Sequence, residues 1–510
     1  MMLRLLTRRL FLTAVAATAT MLAASTMPSA AQGTTLRYAT GTDAQTLDPQ
    51  FVTDIPTSRV VIQLHETLVY PNADGEMQPV LAESWTVSED NLSWTFKLRQ
   101  GVKFHDGTPF TAEAVKFTFD RILAEQTGSP RKSSAAAIES VEVVDEHTVT
   151  IKTKAPFAPL LAQLSAYNLA IISPKAGTAV KSDYSKAPAG TGPFKLGEWT
   201  PGEKLTIVRN EDYWGEKAKI ENVVFNVVPE DSARVLMLLS GEVDLVSNIP
   251  PVMVDRLKGA PGVEIVEKTG VRTIYVAFNL AMKPFDDLRV RQAMAHAINT
   301  KALLEGVMNN LGTPGGGLES VIIPGAAAID PYPYDPQRAR ELLAEAGVPD
   351  GFSVDFYLPT GRYINDRQLG EAIQAQLAEV GIKANLQTPE FGTYLSMLEA
   401  RDKIPMFMLG KGSPTGDPDF TLTINVGTEG SGNYGNYSNK TIDELLLKQR
   451  GTVDVEERRA MLQQIIQTAY DEVPWIVLFY ENQLFGKREN VRGVEVLPNE
   501  SLRFVNATVE

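Results

Sequence analysis

Cysteine is absent from all 510 residues, which removes disulfides, thiolate nucleophiles and Cys-ligated metals together. Histidine is almost absent. The four, His65, His105, His147 and His296, sit one to a segment, and His65-Glu66 has no second histidine four residues on, so the helical zinc-protease pattern is missing. The chain also has no Gly-x-Ser-x-Gly turn and no phosphate loop ending in Gly-Lys-Ser or Gly-Lys-Thr. Positive charge is short: 48 Lys and Arg face 62 Asp and Glu, for a formal net charge of −14 with no basic block. Such a surface is a poor partner for nucleic acid or anionic membranes. Beyond residue 31 no apolar run reaches the ~18 residues that span a bilayer.

What is present is length and apolar content. With 44% hydrophobic residues the chain is too long for one simple core and suggests two or three domains. Residues 1–31 read as an export signal: Arg4, Arg8 and Arg9 form a basic start, Leu10 to Ala24 an apolar stretch, and Ser29-Ala30-Ala31 a small-residue cleavage site. Thr7-Arg8-Arg9-Leu10-Phe11-Leu12 fits the twin-arginine pattern, the mature start is expected at Gln32, and no Cys follows to carry a lipid anchor. A soluble protein outside the cytoplasm is expected.

Along the mature chain, Leu36 and Tyr38 mark a short strand, and Val60, Val61, Leu64 and Leu68 share one face of a predicted helix. Alternation around Trp85 and across Leu92 to Leu98 predicts a hairpin turning at Glu89-Asp90-Asn91, and Thr111 is the predicted cap of the next helix. Val141 to Thr153 reads as two strands, as do Leu205 to Arg209 and Val223 to Val228. Gly190 to Phe194 reads as a rigid turn that either walls a cleft or merely enters a strand. The aromatics of Asn210 to Gly215 read as core. Val290, Ala293, Met294, Ala297 and Ile298 lie at i, i+3, i+4, i+7 and i+8 of a helix. Asp335-Pro336 starts another that Gly347 closes, and Leu369 to Val380 repeats the grammar before a strand at Ile382 to Gln387. Helices alternating with strands imply an α/β fold. The last helix, Glu456 to Tyr470, stops before Pro474, and Trp475 to Tyr480 would return to the first domain. Together with a crossing near Lys268 to Asn279, that makes a two-strand hinge. The apolar strand Met406 to Leu409 ends at Gly410 in a loop of Gly, Ser, Pro, Thr and Asp, a common way to present a ligand wall. Asp417 and Asp419 read as local backbone capping.

Six stretches, TLDPQ, LAESWTVSEDNLSWTFKLRQGVKFHDGTPFTAEAVKFTFDR, GTGPFKLGEW, NEDYWG, DDLRVRQAMAHAIN and YDPQRARELLAEAGVPDGF, occur in this order. The chain resembles in them the family 5 extracellular solute-binding proteins of ABC importers, which bind dipeptides, oligopeptides and nickel. The resemblance implies a type II periplasmic-binding-protein-like α/β fold with two lobes, a two-strand hinge and an extra subdomain in the first lobe (cluster C). It implies domain I over 32–272 with a subdomain at about 76–189, domain II over 273–479, and a return to domain I over 480–510. The expected partners are a peptide-like solute and membrane permease subunits, with no cofactor, no catalysis, no nucleic acid and a monomeric state.

In the peptide-binding relatives an Asp in the loop after the apolar strand, preceded by a Gly-Trp pair, holds the free amine. Aligning Gly416-Asp417-Pro418 on the family's Gly-Asp-Pro puts Pro414 at that Asp and Lys411 at that Trp. Proline cannot accept an amine and lysine repels one, so Lys411 and Arg362 are expected to meet an anionic part of the solute, Arg by a two-pronged grip and Lys as a point charge. Gly412, Ser413 and Asp417 share the loop. Tyr275 and Asn279 lie on one face of the strand after the crossing, Thr40, Asp54 and Thr57 fall in first-lobe loops, and Tyr394 and Tyr434 are weaker candidates. Asp417 or Asp54 would serve as amine anchor in place of Lys411. The expected solute is a short peptide or peptide-like acid, glutathione-like compounds and opines included. Oligosaccharides, chelated nickel and presentation to a chemosensor are the alternatives.

Overall fold

Two long strands carry the architecture. In the computed structural model, which describes residues 34–510 except 73–75, 360, 361, 390, 414 and 498, Val263–Phe278 and Trp475–Arg488 run antiparallel through the middle of a ten-stranded sheet. The stretch expected to be an export signal, Gly361 and Pro414 lie outside the described residues. Past these strands the sheet extends one way through Met406–Lys411, Ser353–Tyr357 and Lys383–Gln387. The other way it runs through Leu245–Ser247, Thr35–Thr40, Asn222–Val227, Lys204–Arg209 and Phe194–Thr200. One end is thus built from the later chain and the other from the earlier chain, and the central pair belongs to both.

Strand geometry explains how each end is covered. Successive side chains point to opposite faces, so Ile274, Val276 and Phe278 enter one core with Met406 and Met408. Tyr275, Ala277, Phe407 and Leu409 enter a second core on the other face. Both faces being buried accounts for the unbroken apolar run at Met406 to Leu409. The first core is roofed by Leu288–Ala297, Pro336–Glu345 and Asp366–Ala378, and the second by Pro418–Asn425, Lys440–Gly451 and Val455–Glu472. A separate four-stranded antiparallel sheet, Ala82–Val87, Ser93–Leu98, Thr148–Thr153 and Ile138–Asp145, packs on Ala112–Leu123 around its own core of Trp94, Phe96, Phe110 and Phe119.

Helix ends follow side-chain caps. Asp335 accepts from Arg338 N at 2.9 Å with Pro336 in the first turn, and Gly241 closes Asp231–Ser240 at φ +78°, a conformation that costs glycine little. Thr111 stands at the cap of its helix but makes no capping bond. The helix expected around Val60 to Leu68 instead spans Ile55–Leu64. Asp54 accepts from Thr57 N at 2.9 Å and Pro56 fixes the first turn, so the start moves forward and Leu68 leads into a strand. The return strand runs past Tyr480 to Arg488 because, after the half-buried Glu481 and Asn482, Leu484 and Phe485 are buried again in the cores of the earlier end.

Candidate functional site

A cavity of about 460 Å³ opens between the two ends of the large sheet. The earlier chain lines it with Tyr70, Tyr167, Tyr213 and Trp214, and the C-terminal segment adds Arg503. The later chain lines it with Ile322, Ile323, Ser413, Thr415 and Gly416, and Lys268 and Val271 of the crossing strand close it. Its size falls within the range of small-molecule pockets.

The earlier wall is held by a buried carboxylate. Glu66 accepts from Tyr213 Oη at 2.7 Å, Trp214 Nε1 at 2.8 Å and Thr191 Oγ1 at 2.7 Å. Burial pushes its carboxyl up, and the three donors pull it back. Arg503 lies 3.8 Å from the Tyr70 ring centroid and Arg99 4.4 Å from that of Trp214, so the aromatic wall is backed by cations. The Gly190 to Phe194 turn seats this wall. A Cβ on Gly190 would meet Leu64 O at 2.1 Å and one on Gly192 would meet Gln63 O at 2.5 Å, while Pro193 reaches the cavity itself. The turn is both a close-packed support and a cavity wall.

The later wall is the loop after Met406–Lys411. That strand runs on through Gly410 and Lys411, two residues past the expected stop, because both pair with Val263–Phe278 at Ile274 and Thr273. Of the residues singled out in the sequence, Ser413 lines the cavity, and its neighbours Thr415 and Gly416 join it. Lys411 does not line it. Its Nζ stands 4.9 Å from the Tyr434 ring centroid and makes no ion pair or hydrogen bond among the described residues, and burial lowers its ammonium to about 8. Gly412 is exposed.

The other predicted residues are occupied within the fold. Asp417 caps Pro418–Asn425 and forms a two-pronged pair with Arg458 at 2.7 and 2.8 Å, so its carboxylate is already matched. Asp54 caps its helix and accepts from the Thr57 hydroxyl at 2.9 Å, while Thr57 accepts from Gln45 N. The Thr40 hydroxyl donates to Thr42 O at 3.4 Å. Tyr275 is packed against Trp475, and Tyr394 donates to Met408 O at 2.7 Å. Asn279 lies just past the strand, donating to Arg401 O and accepting from Asn436 Nδ2. Arg362 rests 5.0 Å from the Tyr363 ring centroid and acts on the charge of Glu481.

Tyr70, Tyr167 and Arg503 escaped the sequence reading, since three distant segments converge here without a local signature. Tyr213 and Trp214, expected as core, sit at the cavity with their polar ends on Glu66. The crossing strands carry a further charge set. Arg272 pairs with Glu481 at 2.7 Å and Glu500 at 2.9 Å, and although burial works against its charge, the two carboxylates prevail. Among the described residues no cluster of His, Asp and Glu is fit to hold a metal, and no helix is long and apolar enough to cross a membrane.

Two sheet ends sharing a pair of crossing strands, with a cavity between them, define a type II periplasmic binding protein. The structure matches NikA from Brucella suis in complex with Fe(III)-EDTA at TM-score 0.85 and 26% identity, over 93% of this chain and 100% of that one. It matches the periplasmic binding protein DppA from Helicobacter pylori in complex with peptide STSA at TM-score 0.80 and 28% identity, over 93% and 98%. The chain belongs to the bacterial extracellular solute-binding proteins, family 5, whose middle-region model matches residues 76–433. It is 31% identical over 481 residues to the glutathione-binding protein GsiB of Salmonella typhi, covering 92% of this chain and 94% of that protein. Members of this family are periplasmic, bind solutes for ABC permeases and are not enzymes.

Proposed function

We propose that this chain captures a short peptide or peptide-like acid, of the kind glutathione represents, and delivers it to an ABC permease by closure of two lobes. The observation that carries the reading is Lys411: a largely buried ammonium with no counter-charge among the described residues, on the strand whose next loop lines the cavity. A buried charge needs a partner, and an incoming carboxylate supplies one. Arg362, close to the crossing strands, is the second cation of the reading. The glutathione-binding relative supports the same solute class. The lobes are domain I over 32–272, with its subdomain at about 76–189, and domain II over 273–479, with 480–510 returning to domain I. The protein works as a monomer in the periplasm after twin-arginine export and cleavage before Gln32.

Calorimetric titration tests the reading with glutathione, acidic dipeptides, opines, an oligosaccharide and a nickel–histidine chelate. Micromolar or tighter binding of an acid from the first three groups is expected, weakened at least tenfold by Lys411→Ala or Arg362→Ala. Unchanged affinity in both variants, or binding of the sugar or chelate alone, refutes it.

A further inference from the structure

Three carboxylates surround the start of Pro418–Asn425, and two have an arginine of their own. Asp417 is matched by Arg458 and Asp419 by Arg450, each at 2.7 Å. Glu319 is matched by no cation among the described residues. It is 1% exposed, and its Oε1 has no hydrogen-bond partner. The Thr421 hydroxyl, a neutral donor that favours the ionised carboxylate, and the Asn425 side-chain oxygen lie on successive turns of one helical face; both residues are buried, and the Asn425 oxygen is unpartnered. The titratable groups that act on Glu319 are Asp417, already held by Arg458, and Tyr480, whose hydroxyl donates to Gly317 O at 3.0 Å. Burial pushes the lone carboxyl up to about 8.

The backbone beneath Glu319 is fixed to the crossing strands. Thr273 Oγ1 donates to Leu318 O at 2.6 Å and Ser320 Oγ to Gly270 O at 2.9 Å, so the chain is held on either side of Glu319. A few residues on, Ile322 and Ile323 line the cavity. Ser413, Thr415 and Gly416 line it immediately before the chain turns into Asp417 and the helix. Glu319 therefore stands behind the seam where two cavity-lining segments meet. A buried carboxyl in such a place, with the neutral Thr421 hydroxyl as its side-chain donor, lacks a donor that carries positive charge.

We propose that Glu319, with the Thr421 hydroxyl, is a subsite for a protonated primary amine of the captured solute. This rests on the proposed binding of a peptide-like acid and makes that acid a zwitterion. One turn along the same helical face, about 5 Å in rise, Asn425 Oδ1 and Lys411 Nζ both crowd the place a Cβ on Gly432 would take, at 2.8 and 3.1 Å. The amine and carboxylate subsites thus stand about one turn apart along one helix, which sets the direction in which the solute lies.

The test is calorimetric titration of the mature protein with glutathione, Ala-Glu and tri-alanine, each against its N-acetylated form. Wild type is expected to favour the free amine about 100-fold. Glu319→Gln, which keeps the shape, should remove most of that preference, and Thr421→Val should narrow it if the Gln variant does not fold. Equal binding of free and acetylated forms by wild type, or a preference that survives both substitutions, overturns the amine subsite and leaves the peptide-acid reading standing. Binding of none of the six probes by wild type overturns both.

Discussion

Replacing Lys411 by methionine should stabilise the unliganded protein. The ordinary lysine value of 10.5 falls to about 8 in the fold, with burial as its cause. At about 1.36 kcal/mol per pH unit, that difference corresponds to roughly 3 kcal/mol. The Tyr434 ring, 4.9 Å away, offsets part of this penalty by about 0.5–1 kcal/mol. The direction is fixed by linkage. Below pH 8 the folded and unfolded chains both carry the proton, so the whole penalty of burying the charge is present at pH 7. Between pH 8 and 10.5 the folded chain sheds it while the unfolded chain keeps it, and stability rises with pH across that window. Lys411→Met should therefore gain about 2–3 kcal/mol at pH 7 in urea denaturation followed by tryptophan fluorescence, with the gain shrinking toward pH 10. The same variant should bind acidic solutes at least tenfold more weakly. A variant less stable than wild type at pH 7, or a gain that does not change with pH, would refute the argument that this ammonium is buried to await an anion.

Arg272→Met should cost about 3–5 kcal/mol, since it strands Glu481 and Glu500 without their guanidinium, and adding Glu481→Gln should recover part of the loss in a double-mutant cycle. Acid should destabilise the protein through His65: burial, and after it the nearby His105, lowers its imidazole from 6.5 to about 3. The unfolded chain takes a proton there first, so stability should fall by up to about 1.4 kcal/mol per pH unit from 6.5 toward 3, and His65→Gln should flatten that slope in denaturation curves at stepped pH. Asp417→Asn should lose about 2–4 kcal/mol by breaking the pair with Arg458 and yet leave the ratio of affinities for free and acetylated peptides unchanged in calorimetry.

Elements whose signal is local were legible. Leu288–Ala297 and Pro336–Glu345 announce themselves because apolar spacing, an Asp cap and, in the second, a proline agree within a dozen residues. The capping role expected of Asp417 is present, with its side chain accepting from Asp419 N at 2.8 Å, but the helix it caps, Pro418–Asn425, was not seen, since Asp-Pro-Asp caps a turn as readily as a helix. The site divides the same way. The loop at Ser413 is visible because Gly, Ser, Pro and Thr after an apolar strand demand a turn. Glu319 and Arg503 carry no such mark, because what distinguishes one is a missing partner and the other a tyrosine more than four hundred residues away in the chain. Lys411 was legible as a charge out of place, but its seat over Tyr434 rather than at the cavity depends on how its strand continues past Gly410.

The place where the two ends of the sheet can bend is written in the ladder between the crossing strands. Val263 to Thr269 pair residue by residue with Arg488 to Asn482, and Tyr275 to Ala277 pair with Val477 to Trp475. Between them Thr269 faces Asn482 and Thr273 faces Tyr480, so four steps on one strand answer two on the other, and the register shifts again at Ile274. An extra residue in a ladder leaves backbone groups unpaired and bends the strand locally. Gly270 occupies this break because a Cβ there would meet Glu481 O at 2.8 Å. Backbone groups released from the ladder are taken up by the segment that carries Glu319: Ser320 Oγ donates to Gly270 O and Thr313 exchanges backbone bonds with Tyr480, while the Thr273 hydroxyl ties the strand to Leu318 O. Arg272 projects from the same break to Glu481 on the neighbouring strand and Glu500 on the returning chain. On the proposed reading of lobe closure, any rotation at this break must act on the Arg272 ion pairs and on the footing of Glu319 together. Solute capture and hinge position are then coupled through the residues from Gly270 to Thr273, with no need for a signal relayed across either core.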